Sequence, residues 1–319
     1  MRNAGLALLA CCFASPALSQ AYPSKPIRII LGAPAGGVAD IRARYYAQKL
    51  TESLGQPIVV ENKAGASGAL AAQAVARAAP DGYTLLWGTI NDLSLVPAMG
   101  LASGYDARKD FAAISLATAG YPAMVAWPGL GATTVGELVA AARKEPGKLN
   151  FASAGTATHQ HFVTAFFAKQ AGVRFTLVPY KGSALAYGDL MSGQVQAILG
   201  YPTEFNQYAK LGRLKVLAIL GPRRIPLLPE VPTISEAGYP GLEVYGWQGF
   251  FAPASTPAET IDRLNAAILQ VGSSAELRKI LEDTASDFIP MAPREFAEFH
   301  RKDLERWTKI VKESGVKIE

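Results

Sequence analysis

Hydrophobic and polar positions along this chain alternate between short apolar runs and amphipathic stretches. Ile27–Leu31 (IRIIL) is apolar and rich in β-branched residues, which predicts a buried parallel strand. Gly32–Val38 carries three glycines and a proline and ends it. From Ala39 onward, Ala43, Ala47, Leu50 and Leu54 recur at helical spacing, and Gly55 supplies a stop. Strands are predicted again at Pro57–Val60 and Tyr83–Trp87. Between them lies a helix capped by Ser67, with Leu70, Ala74, Val75 and Ala78 on one face. Strands alternating with helices predict a parallel sheet with right-handed crossovers. Ligands in such sheets sit beyond the carboxyl ends of the strands. Three loops reach that edge: Ala33–Val38, Asn62–Ser67 and Gly88–Asp92.

The apolar runs of Phe111–Ala126 break at Thr118–Tyr121, which reads as a first crossing into a second domain. Thr134 and Glu137 form a capping box for a helix over Thr133–Lys144. Leu149–Ala152 is then a strand, Ser153–Thr158 a loop of small residues, and His159–Ala171 a helix with Phe162, Val163, Phe166 and Phe167 inward. The order strand, small-residue loop, helix thus occurs twice. Further strands are predicted at Phe175–Val178, Val195–Leu199 and Leu214–Ile219, and helices at Ala184–Met191 and Glu204–Leu211. Gly221–Gly241 contains five prolines and reads as an ordered connection. Val244–Phe251 is an aromatic strand, the expected crossing back. Thr256 is expected to cap a helix with Pro257 at its first position, running to about Val271. Ser273–Asp283 and Pro293–Ser314 form a helical tail expected to fold against the first domain. Phe296, Phe299, Leu304, Trp307 and Val311 read as its packing residues.

A glycine-lined loop feeding a helix leaves backbone N–H groups open and places the positive end of the helix dipole beside them. That arrangement suits an anion. The loop is neither GxGxxG nor a P-loop, and a tight turn that binds nothing is the competing reading. The second loop offers Ser153, Ala154, Gly155 and Thr156, followed by His159. Two such loops in two α/β units would close on one anion from opposite sides. Asp40 suits either the helix dipole or a ligand hydroxyl or ammonium, and Lys181 is a loop cation in the second unit. His159 and His161 lack the i, i+4 spacing of a helical metal pair, and no metal site is expected. Ser153 with His159 is the enzymatic alternative. It lacks a Gly-x-Ser-x-Gly elbow, and no catalytic residue is assigned.

The length of 319 residues and 50% hydrophobic composition allow two domains. The net charge is +5, with no run of like charges and no basic stripe interleaved with aromatics, so nucleic-acid binding is not expected. The first 19 residues read as a signal peptide: Arg2, the apolar stretch Gly5–Phe13, and a small-x-small site at Ala17-Leu18-Ser19. Both cysteines, Cys11 and Cys12, fall inside it, which leaves a mature chain without disulfides. A lipoprotein box ending at Cys11 is the less favoured alternative, because the signal would be unusually short. An exported protein of a bacterial periplasm is expected.

Several stretches together resemble a known family: PSKPIRIILGAPAGGVADIRAR, LGQPIVVENKAGASGALAAQAVARAAPDGYTLLWGT, FASAGTATHQHF, VPYKGSALAYGDLMSGQVQAIL, LPEVPTISEAGYPG and FFAPASTPAETIDRLNAAI. The chain resembles the extracytoplasmic solute-binding proteins of the tripartite tricarboxylate transporter class, the Bug family. The resemblance implies an α/β type II periplasmic binding protein fold, two α/β lobes with a ligand cleft between them. Lobe 1 would hold residues 20–121 and 246–319, and lobe 2 residues 122–245. It further implies a small carboxylate ligand, membrane permease subunits as partners, no cofactor and a monomer. Ligand contacts would come from Ala33, Pro34, Ala35, Gly36, Gly37, Ala66 and Ser153–Thr156. The chain departs from the family at Val38, which replaces a glycine, and at Ala64, where the turn loses its proline. At Gly200-Tyr201-Pro202 the family's acid is missing. Its loss argues against an amino-acid ligand. Tyr201, with Trp247 and Trp87 expected nearby, would favour an aromatic or apolar carboxylate over citrate; packing of Tyr201 into a core is the alternative. A periplasmic sensor feeding a signalling partner is the alternative function.

Overall fold

Each apolar run expected as a strand pairs into one of two sheets. The computed structural model describes residues 22–102, 104–156, 158–180 and 182–316; the expected signal segment with Cys11, and Lys181, lie outside the described residues. The chain begins with β1 (Ile27–Leu31), α1 (Val38–Leu54), β2 (Ile58–Asn62), α2 (Ala69–Ala76), β3 (Thr84–Thr89), the short α3 (Val96–Ala98) and β4 (Phe111–Gly120). It continues with β5 (Ala123–Ala126), α4 (Val135–Lys144), β6 (Asn150–Ser153), α5 (His159–Ala171), β7 (Thr176–Pro179), α6 (Ser183–Ser192), β8 (Ala197–Gly200), α7 (Pro202–Lys210) and β9 (Lys215–Ile219). It ends with β10 (Gly246–Pro253), α8 (Ala258–Gly272), α9 (Ala275–Asp283), β11 (Ser286–Asp287) and α10 (Pro293–Ser314).

One sheet has six strands in the order β11-β4-β10-β3-β1-β2, and the other has five in the order β7-β6-β8-β5-β9. β1 pairs in parallel with both β2 and β3, as the βαβ rhythm requires. β10 inserts antiparallel between β3 and β4. The first sheet therefore takes strands from both ends of the chain, and the second takes only the middle. The chain passes between sheets twice, at Tyr121-Pro122 and again in the segment that leads into Gly246. β4 runs through Thr118 to Gly120, so the break falls later than the apolar pattern indicated. At the boundary Gly120 of β4 lies opposite Gly246 of β10.

Two buried clusters flank the first sheet. Tyr46, Trp87 and Phe250 sit edge to face on one side, with Trp87 and Phe250 centroids 5.0 Å apart. On the other side Trp247, Phe251, Phe296 and Trp307 join a cluster that continues into Met124, Phe151, Phe162 and Phe167 of the second sheet's layer. α10 packs on β4 and also on α5, so the tail touches both lobes rather than only the first. Its Phe296, Leu304 and Trp307 are buried, as their helical spacing indicated.

Two expected caps are replaced by other geometry. Ser67 does not cap α2; it sits at φ 54° in a short turn, and Gly68 precedes the helix. Leu70 accordingly points outward, 43% exposed, while Ala71, Ala72 and Val75 are buried. Pro257, not Thr256, precedes α8, and the Thr256 hydroxyl donates to the Pro253 carbonyl instead. The cause at Ser67 is a close approach of loops. A Cβ on Gly32 would lie 2.5 Å from the Gly68 Cα, and a Cβ on Gly68 would lie 2.9 Å from the Asp92 Cβ. The loop after β1 thus meets the backbone of the loop after β2, which in turn lies against the Asp92 side chain of the loop after β3.

Gly32→Ala forces a methyl group into the Gly68 main chain. The expected outcome is a loss of ~1–3 kcal/mol in urea unfolding, the range of overpacked sites. Gly37→Ala is the control, since its added Cβ meets only the Pro34 carbonyl at an ordinary 3.6 Å and its φ is negative. A Gly32→Ala variant as stable as this control would show that the three loops separate easily.

Candidate ligand site between the two lobes

A cavity of about 510 Å³ opens between the sheets, at the carboxyl ends of β1 and β3. The first lobe supplies Gly32, Ala33, Pro34, Val38, Ala39 and Arg42, from β1's end through the first turns of α1. Ser67 and Gly68 join them from the second loop, and Thr89–Asn91 from the third. The second lobe supplies Thr158, His159 and Gln160 from the start of α5, and Tyr201, Thr203 and Glu204 from the β8–α7 junction. A larger hollow of about 730 Å³ lies within the second lobe beside Val135 and Leu217, and none of these loops reaches it.

The first loop is held by one buried carboxylate. Asp40 is 3% exposed. Its oxygens accept from Arg44 Nε at 3.0 Å, from the Gly36 N–H at 2.9 Å and from Asn62 Nδ2 at 2.8 Å. Asn62 also donates to the Ala33 carbonyl at 3.0 Å. The Arg44 guanidinium, with the Gly36 and Asn62 donors, holds the Asp40 carboxyl down at about 2. Asp40 is therefore a brace inside the loop and is not among the cavity's lining residues, in keeping with the structural rather than the ligand reading. Gly36 spends its N–H on the same carboxylate. Ala35, Gly36 and Gly37 share the loop but do not line the cavity, whereas Ala33 and Pro34 do. Ala66 adopts φ 47° beside the site, and its neighbours Ser67 and Gly68 do the lining.

The second loop enters differently from expectation. Ser153, Ala154, Gly155 and Thr156 do not line the cavity. Ser153 is 0% exposed, and its hydroxyl lies 3.1 Å from His161 Nδ1. The Ser153–His159 pair of the enzymatic reading does not form. His159 instead meets Tyr201, with Nε2 3.0 Å from the phenol oxygen. Burial pulls the His159 imidazole down to about 4 and pushes the Tyr201 phenol up, so both are neutral near pH 7. The Tyr201 ring rests on the paired glycines: a Cβ on Gly246 would lie 2.2 Å from its hydroxyl.

Trp87 and Trp247 do not supply the expected apolar wall. Both are 0% exposed. Trp87 packs against Tyr46 and Phe250, and Trp247 donates from Nε1 to Asp303 at 2.7 Å. Trp247 reaches the cavity boundary only from within the core. Positions 200–202 carry no acid, but one follows two residues later. Glu204 lines the cavity, accepts from the Tyr201 N–H at 2.9 Å and holds the Ser183 hydroxyl.

Arg42 was not singled out by the sequence pattern, because it reads as one charged position on an exposed helix face. In the structure it lines the cavity and donates from Nη2 to Ser286 Oγ at 2.8 Å and Thr284 Oγ1 at 3.1 Å. Both partners come from the far end of the chain, which no local pattern reveals. Among the described residues no three His, Cys, Asp or Glu side chains gather as a metal site.

Residues 42–316 match the profile of the tripartite tricarboxylate transporter family receptor, TctC. The chain belongs to this receptor family. Protein BugT of Bordetella pertussis is 32% identical over 310 residues, covering 96% of this chain and 94% of BugT. Two solved structures from Rhodopseudomonas palustris are similar throughout. Rpa4515 with adipate is 29% identical with TM-score 0.79, covering 92% of this chain and 99% of that one. MatC (Rpa3494) with bound malate is 30% identical with TM-score 0.75, covering 91% and 100%. The fold of this receptor is accordingly the two-lobed α/β fold of periplasmic binding proteins.

Two pH windows separate the braces of this receptor. The Asp40 carboxyl takes up a proton near ~3.9 when unfolded but near 2 when folded. Its contribution to stability is present above pH ~4 and is lost as pH falls through 2. Asp40→Asn is expected to lower stability near pH 7 by ~1–3 kcal/mol and to flatten that acid limb in urea titrations. An unchanged acid limb would contradict the brace.

His159 protonates near ~6.5 when unfolded and at about 4 when folded. The unfolded chain binds more protons between these values, so stability falls as pH drops through that window, by up to ~1.4 kcal/mol per unit for this group. His159→Gln is expected to reduce the slope between pH 6.5 and 4 while leaving the limb below 4 in place. An identical slope in the variant would show that His159 is solvated.

Proposed function

We propose that this receptor captures a small carboxylate in the cavity between its lobes and passes it, chemically unchanged, to membrane permease subunits. The observation that carries the reading is the cavity itself. It lies where the β1–α1 loop, the start of α5 and the Tyr201 junction converge from both lobes, and it contains a guanidinium. An anion there gains backbone donors near the start of α1, whose dipole favours negative charge. Family membership and the adipate and malate complexes named above support the ligand class. The N-terminal segment supports export to the periplasm, with cleavage near Ser19. In this mechanism the ligand favours the state in which Tyr201 and His159 approach the first lobe, through its higher affinity for that state. The binding unit is taken to be a monomer.

The test is a thermal-shift screen of mature, ligand-free protein against dicarboxylates, tricarboxylates, amino acids and aromatic acids. A ligand at 100 times its dissociation constant stabilises the fold by ~2.7 kcal/mol, a shift of several degrees or less for a chain of this size. A shift with at least one of these acids, and none with inorganic sulfate, phosphate or a neutral sugar run beside them, is expected. A folded, ligand-free protein that responds to none of them would overturn the carboxylate reading.

A further inference from the structure

Arg42 stands out among the cavity residues by what faces it. Val38, Ala39 and Arg42 lie on one side of α1, and all three line the cavity. Arg42 is one helical turn beyond Val38, ~5.4 Å along the axis, and so lies deeper along the helix than the loop that precedes it. Its Nη2 is committed to two neutral acceptors, the hydroxyls of Thr284 and Ser286. Those hydroxyls are themselves anchored. Ser286 Oγ donates to the Thr284 carbonyl, and Thr284 Oγ1 donates to the Leu281 carbonyl. The guanidinium is thereby aimed, not neutralised. Among the described residues no carboxylate lies within ion-pair distance of Arg42, whereas Arg44, two residues on, is paired with Asp40. The groups whose fields reach it are the phenols of Tyr201 and Tyr46, both pushed upward by burial and uncharged near pH 7. The one carboxylate among the described residues of the cavity lining, Glu204, is bonded to the Tyr201 N–H and the Ser183 hydroxyl rather than to Arg42. Burial also lowers the guanidinium from its ordinary value, a sign of desolvation without a counter-charge.

A largely desolvated cation with only neutral partners is costly, and an anionic group that pairs with it recovers that cost. The remaining Nη1 and Nε N–H groups point from different edges of the guanidinium, and each can donate a single charge-assisted hydrogen bond to an anion. We infer that Arg42, oriented by Thr284 and Ser286, is a specificity-determining residue that receives a second anionic group of the ligand, distinct from the carboxylate at the β1–α1 loop. The ligand class is then a dianion with its charges at two ends. Arg42 discriminates it from monocarboxylates, aromatic ones included. The assignment rests on the proposed carboxylate function and adds a residue and a selectivity to it.

The experiment is calorimetric titration of refolded, ligand-free protein with malonate, succinate, glutarate and adipate, each beside the monoacid of equal length. In the wild type at least one diacid is expected to bind more tightly than its monoacid, by about 10–100-fold, the value of a charged hydrogen-bonded pair. Arg42→Gln is expected to remove that ratio, with diacid binding falling far more than monoacid binding. Arg42→Lys keeps the charge but not the guanidinium's fixed donor directions, and is expected to restore part of it. Ser286→Ala is expected to reduce the ratio less than Arg42→Gln, with Ser286→Thr recovering it, which marks Ser286 as a positioning residue. It also keeps the test available if Arg42→Gln folds poorly. Equal loss of diacid and monoacid in Arg42→Gln, or a wild type that binds both equally, would overturn the Arg42 assignment and leave the carboxylate function standing. A wild type that binds neither overturns both.

Discussion

The cavity exists because three strand-end loops approach one another more closely than side chains permit. Gly32 meets the Gly68 backbone, and Gly68 meets Asp92. A Cβ at either glycine would sit inside the contact distance of real atoms, so the loops would have to part. Around this point the other constraints fall into place. Gly68 takes a left-handed conformation that moves the start of α2 beyond Ser67. Asp92 is buried beneath it, where its carboxylate accepts the Thr89 N–H and hydroxyl at 2.6 Å and shapes the turn that brings Thr89 and Asn91 to the cavity. Burial pushes this carboxyl up to about 7, in contrast to Asp40, which cationic and amide donors hold down. Two buried acids one loop apart thus have opposite character, set by their donors and not by depth alone.

The second lobe meets this floor through Tyr201. Its ring rests on Gly120 and Gly246, which lie opposite each other where β4 leaves the first sheet and β10 enters it. Small residues at this crossing let the aromatic ring and its His159 partner approach the loops of the first lobe. The neutral His159–Tyr201 pair adds polarity without adding charge. The cavity's positive charge is Arg42, and its carboxylate, Glu204, is oriented by the Tyr201 N–H and the Ser183 hydroxyl.

Much of the fold was legible from patterning. The β-branched run Ile27–Leu31, the phenylalanines of α5 and the Thr134–Glu137 capping box all appear as read, because each depends on neighbours within a few residues. The two loops of the strand–loop–helix repeat lead into helices whose first turns line the cavity, at Val38 and His159. The repeat did not locate the contacting atoms. Ser153 turns inward to His161, and the lining of the second wall begins at Thr158. Trp87 and Trp247 were expected near Tyr201, and Trp247 does border the cavity. The alternation of each strand nonetheless sends both indoles into a core.

By itself the sequence determined the succession of strands and helices, the two α/β units and the resemblance to a receptor family. These follow from local propensity, from periodicity and from motifs that survive in the linear text. The tertiary structure alone decided which side chains face the ligand space. Asp40 became a brace because Asn62 and Arg44 converge on it, and Arg42 became a cavity residue because Thr284 and Ser286 return from more than 240 residues away to orient it. Such pairings are set by how sheets and helices pack, and a contact between distant positions leaves no periodic trace in a single chain.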